Sequence, residues 1–138
     1  MTANPVREIN FEVQKGITEY VIENFKNLLE ILQPKVIICL GKIVSESIAE
    51  AYDKKDEIAK YEYYNEFLDV ELNKDNPQPI ELKLENGRCV KMFAIAHLGS
   101  YGKGNRNKYL REKGLDKDVE SDWEVVGEYI KSLLSKTY

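Results

Sequence analysis

The residues best suited to chemistry in this 138-residue chain lie between His97 and Arg111. They read His97-Leu98-Gly99-Ser100-Tyr101-Gly102-Lys103-Gly104-Asn105-Arg106. Three glycines within six residues let backbone N–H groups come close to a ligand. His97, Ser100, Asn105 and Arg106 add donors suited to a phosphate or an oxyanion. His97 is the chain's one histidine. From His97 to Lys113, the cations Lys103, Arg106, Lys108, Arg111 and Lys113 face only Glu112, which sets this stretch at +4 within a chain of net charge −4, and the remainder at −8. An acidic body with one basic loop directs an anion to that loop; the plainer alternative is a solvated charged loop. The spacing is not that of a phosphate-binding P-loop. A second candidate is Gly41-Lys42, directly after an apolar run.

Other chemistries find little support. Cys39 and Cys89 are too few for a disulfide framework and match no zinc spacing, so both are expected to be reduced core thiols. No G-x-S-x-G elbow is present. The pairs Glu62/Glu66 and Asp116/Asp118 sit in charged surroundings and read as solvated faces. No cofactor and no metal is expected. The negative balance argues against general affinity for nucleic acid. No apolar run approaches the roughly 18 residues needed to span a bilayer, and no leader is visible, so the expected location is cytoplasmic and no membrane partner is expected.

The elements that must hold these residues follow from periodicity. With 43% hydrophobic and 32% charged residues, the chain has the composition of one globular domain, expected over 18–138 behind an N-terminal arm at 1–17. Val21, Phe25, Leu28, Leu29 and Leu32 predict one face of a helix from Thr18 to Leu32, capped by Thr18 and stopped by Pro34. Lys35 to Leu40 reads as a strand buried on both faces, turned by Gly41 into a helix over Lys42 to Tyr52. Asp53 to Asn76 is charged and aromatic; Tyr61, Tyr63, Tyr64 and Phe67 suggest the edge of a core or an interaction face. Ile80, Leu82 and Leu84 alternate as a half-exposed strand. Asn86-Gly87 predicts a type I′ hairpin into Arg88 to Ala96, which delivers His97 to the sheet margin. Ser121 and Glu124 make a capping box for a last helix to Ser135, with Trp123, Val126, Tyr129, Ile130 and Leu133 inward. The expected fold is α/β: a three-layer αβα arrangement around a short, mainly parallel sheet. Ligands in such folds gather beyond the carboxyl ends of the strands, where Gly41-Lys42 and His97 both sit.

Two segments carry a family resemblance. Leu32 to Lys42 (LQPKVIICLGK) is similar to a central strand and turn of the uracil-DNA glycosylase superfamily. Phe93-Ala94-Ile95-Ala96-His97-Leu98-Gly99-Ser100 resembles the strand and histidine-led loop that follow in that family. The resemblance, to a truncated or divergent member, implies a four-stranded parallel sheet and a domain that binds DNA or a nucleobase. It gives His97 the role of polarising the base carbonyl, Leu98 or Tyr101 that of a wedge, and Lys103 and Arg106 phosphate contacts. Leu98-Gly99 stands where the family has Pro-Ser. The family's N-terminal segment with a water-positioning Asp or Asn has no counterpart before Thr18. Binding is therefore the firmer expectation, and base excision the weaker one. A non-enzymatic nucleotide-, phosphate- or protein-binding module on the same scaffold is the alternative.

Overall fold

The structure, a computed structural model, describes residues 5–135, with side chains described from residue 19 onward. The first helix, α1, runs Pro5–Leu32. Of the expected arm, residues 1–4 lie outside the described residues, and residues 5–17 form the first turns of α1. Thr18 therefore lies inside the helix rather than at its start. Pro5, whose fixed φ suits the first helical position, opens it instead. The face that packs is also rotated from the expected one. Ile22, Phe25 and Leu29 turn to the core, whereas Val21, Leu28 and Leu32 are exposed. Gln33 ends the helix at φ +47°, and its N–H donates to the Leu29 carbonyl at 2.8 Å.

Strand β1 (Val36–Leu40) follows, then α2 (Lys42–Ala51), α3 (Asp56–Ala59), α4 (Tyr64–Glu71), β2 (Ile80–Lys83), β3 (Cys89–Ile95), α5 (Ser100–Glu112) and α6 (Val119–Ser135). Among the described residues this is a mixed α/β fold of six helices and three strands, consistent with a small αβα arrangement. The strand order is β1-β3-β2. β1 pairs with β3 in parallel, Val36 opposite Lys91 through Leu40 opposite Ile95. β2 pairs with β3 antiparallel, Ile80 opposite Met92 through Lys83 opposite Cys89. The four-stranded parallel sheet implied by the family resemblance is thus replaced by one parallel and one antiparallel pair. The apolar run of β1 is half-buried at an edge of the sheet rather than enclosed at its centre. The central strand is β3, buried without a break from Met92 to Ala96.

The hairpin forms where expected but by a different turn. Gly87 N–H donates to the Leu84 carbonyl at 3.0 Å, which makes Glu85-Asn86 the central pair. Gly87 alone takes a positive φ, +89°, while the Asn86 side chain accepts from the Arg88 N–H at 3.0 Å. This is a turn followed by a left-handed glycine rather than the two-residue type I′ turn. The last helix begins at Val119, its cap three residues ahead of expectation. Asp118 caps it, its carboxylate accepting from the Ser121 N–H and hydroxyl at 3.1 and 3.2 Å. Its inner face is close to the expected one: Val126 is buried and Trp123, Tyr129 and Ile130 pack on the core. Tyr129 meets Phe93 of β3 edge-on at 5.0 Å. Cys39 is a buried core thiol, pushed up to about 12 by burial and by the nearby Glu71 carboxylate. Cys89 is exposed at the start of β3, contrary to the core thiol expected there.

Candidate functional site

His97 stands two residues past the end of β3, next to the end of its parallel neighbour β1. The ladder continues one step beyond β1: Gly41 N–H donates to the Ile95 carbonyl at 2.8 Å. Three glycines then close on the histidine. A Cβ at Gly41 would lie 3.5 Å from the His97 Cβ, one at Gly99 would lie 3.1 Å from Nδ1, and one at Gly102 would lie 2.6 Å from the His97 carbonyl oxygen. Gly41 also has φ +93°, a conformation that a side chain disfavours. Of the three glycines of the 97–106 stretch, Gly104 meets nothing. The glycines expected to cradle a ligand therefore serve mainly to let the backbone wrap closely around His97.

That wrapping fixes the ring. Gly99 N–H donates to Nδ1 at 2.9 Å. With the Nδ1 lone pair engaged, the neutral imidazole carries its hydrogen on Nε2, so the exposed side of the ring presents a donor. Among the described residues no carboxylate is hydrogen-bonded to His97.

Two helices start beside it. α2 begins directly after Gly41 and α5 directly after Gly99, and neither has a side-chain cap or an acidic residue in its first turn. The first helical bonds are Ser45 N–H to the Gly41 carbonyl, 3.1 Å, and Lys103 N–H to the Gly99 carbonyl, 3.0 Å. The amides of Lys42, Ile43 and Val44, and those of Ser100, Tyr101 and Gly102, precede these bonds and have no intrahelical acceptor. Six amide donors and the positive ends of two helix dipoles therefore frame His97, an arrangement suited to an anion. Around it stand Ile43, 79% exposed, and Tyr101, 84% exposed, together with Leu98 and Val44. Large apolar groups held in water in this way offer a surface for a planar, apolar ligand. Ile43 was not singled out from the sequence, and Val44, spaced with Ile48 as a packing residue of this helix, is exposed instead; their place directly after Gly41-Lys42 was the available signal.

The remaining expected residues separate. Ser100 and Asn105 are exposed on α5. Lys103 lines a small cavity of about 130 Å³ with Leu98, Asn107, Glu120 and Trp123. Lys42 is exposed and lies 3.7 Å from Glu46. Arg111 sits in the last turn of α5, about 16 Å along the axis from Ser100 at 1.5 Å per residue, so it belongs to the other end of the helix.

Arg106 is the largest correction. It is 1% exposed, and its Nε and Nη2 donate to the two oxygens of buried Asp122 at 2.8 and 3.3 Å. Nη1 donates to the Asn65 side-chain carbonyl at 3.1 Å, and Nη2 forms an ion pair with Asp69 at 3.1 Å. Burial pulls this guanidinium's pKa down, but Asp122 and Asp69 outweigh it and hold the pKa above its ordinary value. Arg106 ties α5 to α4 and α6 and is not available for a phosphate. Lys108 lies 4.0 Å from Glu112. The +4 of this segment is therefore spread along a helix and partly neutralised. The tyrosine-rich stretch mainly packs: Tyr61 and Tyr64 lie against Phe67, and Tyr64 hydroxyl donates to the Ile95 carbonyl at 3.0 Å, while Tyr63 is exposed.

No helix among the described residues is long and apolar enough to cross a membrane, and none of these residues form a group able to hold a metal ion. The chain matches no family model, no curated protein and no solved structure.

Proposed function

We propose that this chain is a uracil-DNA-glycosylase-like domain that binds single-stranded DNA or a nucleobase where β1 and β3 end, around His97. The carrying observation is the Gly99 N–H donated to His97 Nδ1, which turns an Nε2 donor outward between two uncapped helix starts. A base carbonyl or a phosphate oxygen fits that donor set, and Tyr101, Leu98 and Ile43 offer apolar contact to a base face. Lys42 and Lys103 supply the nearby exposed charge. Binding without hydrolysis is favoured over base excision, because among the described residues no carboxylate is hydrogen-bonded to His97.

The test is fluorescence anisotropy with a uracil-containing single-stranded oligonucleotide, run beside a uracil-release assay. Binding is expected to fall at least tenfold in His97→Ala. With two lysines on phosphates, log K should fall with log salt at a slope of about −1.4. Binding without release supports the binding reading. Release that His97→Ala abolishes would establish excision instead. Absence of binding to oligonucleotide and nucleotide alike would sink both.

A further inference from the structure

The two edges of the sheet are built differently. β2 is four residues long, and its exposed positions carry Glu81 and Lys83, with Glu81 ion-paired to Lys91 across the ladder. Short length and outward charge are the usual guards of an exposed edge. β1 has neither charge, proline nor bulge: it reads Val36-Ile37-Ile38-Cys39-Leu40. Its inward groups are identified by the bonds at its ends, Lys91 N–H to the Lys35 carbonyl and Gly41 N–H to the Ile95 carbonyl. In a parallel ladder those bonds assign residues 35, 37, 39 and 41 to β3. The N–H and C=O groups of Val36, Ile38 and Leu40 then face outward, and among the described residues no strand pairs with them.

We infer that β1 is the interface for a second copy of this chain, joining two three-stranded sheets into one of six strands. The strand is self-complementary about Ile38. In an antiparallel two-fold pair, Ile38 meets Ile38 of the other copy, and Val36 and Leu40 exchange bonds with their opposites, six main-chain hydrogen bonds in all. No like charges oppose each other, because the strand has none. Exposed apolar side chains, Ile31 and Leu32, precede it in sequence. A two-fold pair places the His97 sites at opposite ends of the shared strands, so dimerisation and ligand binding are separable.

The full chain should be examined by light scattering across a concentration series, with residue-resolved amide exchange in parallel. The mass is expected to rise from the 16.0 kDa of one chain to twice that value. The amides of Val36, Ile38 and Leu40 should gain protection with concentration, while those of Ile37 and Cys39 are protected throughout. Val36→Pro removes one outward donor at the first strand position, where proline is tolerated. It should raise the midpoint of dissociation about tenfold while leaving the circular dichroism unchanged. Should Val36→Pro misfold, the exchange pattern of the unaltered chain decides the matter by itself. A monomer up to millimolar concentration overturns the inference. So does a dimer in which the amides of 36, 38 and 40 exchange at a concentration-independent rate, or one that accepts a different strand and not its own.

Discussion

A methyl group at position 102 would sit 2.6 Å from the His97 carbonyl oxygen and 2.8 Å from its Cβ, so the backbone of one must move. Gly102→Ala is expected to cost about 1–3 kcal/mol of folding stability, the usual range for overpacking, and to weaken ligand binding by displacing the ring. Gly104 is two residues further along the same helix and meets nothing. Gly104→Ala should instead gain about 0.5–1 kcal/mol, because alanine loses less backbone freedom on entering a helix. Urea denaturation of the pair checks both signs, and a destabilised Gly104→Ala would contradict the packing described. The concentration of glycines near His97 was legible in sequence. Which of them touch the histidine was not, because Gly41 reaches it only through the pairing of β1 with β3.

At the scale of elements, one buried arginine, ion-paired to two carboxylates, holds three helices together. Arg106 of α5 meets Asp122 of α6 and Asp69 of α4, and Val119 N–H at the start of α6 donates to Asn107 at 2.9 Å. Arg106→Met leaves the Asp122 carboxylate buried without its partner and is expected to cost about 3–5 kcal/mol. Adding Asp122→Leu should restore part of that loss, since a buried pair replaced by apolar groups is often near neutral while Asp69 still lacks its cation. Chemical denaturation of the single and double variants measures the difference, and equal destabilisation in both would show that the pair is not what joins the helices. The sequence contains no sign of this pairing. A basic residue in a cationic, glycine-rich stretch reads as surface, and only the approach of α4 and α6 encloses it. The helices themselves were more legible. α2 and α6 lie close to their expected bounds because apolar residues recur at helical spacing, whereas α1 begins earlier than expected, the helical spacing of Val6, Ile9, Val13 and Ile17 having gone unread.

For the molecule as a whole, Glu71 links protonation to folding. It is 1% exposed at the end of α4, its Oε1 accepts the Ala94 N–H just beyond the start of β2, and its Oε2 has no hydrogen-bond partner. Burial raises its pKa well above the ordinary 4.5, with the Ala94 bond and Arg106 opposing and Asp122 adding to the rise. The native state thus keeps a proton that the unfolded chain has already released. The contribution of this group is complete below the ordinary carboxyl range and is lost as pH rises from there through the raised native pKa. Stability should decline with pH across that interval, and Glu71→Gln should flatten the decline while keeping an acceptor for the Ala94 amide. Urea denaturation at a series of pH values measures both slopes; identical slopes would mean that Glu71 is ionised in the native state.

What the amino-acid sequence determined by itself were the local features. Apolar spacing specified α2, α6, β1 and the β2–β3 hairpin, and Gly41 and Gly87 marked turns because each needs a positive φ. The type of each residue near His97 was equally visible. Tertiary structure decided the rest, since burial and partnership depend on residues far apart in the chain. It made β1 an edge and β3 the centre, because strand order is a property of pairing and not of hydrophobicity. It removed Arg106 from the surface by bringing two carboxylates to it. It also brought two helix starts and three glycines to His97, turning a histidine at a strand end into an oriented donor beside two uncapped helix starts.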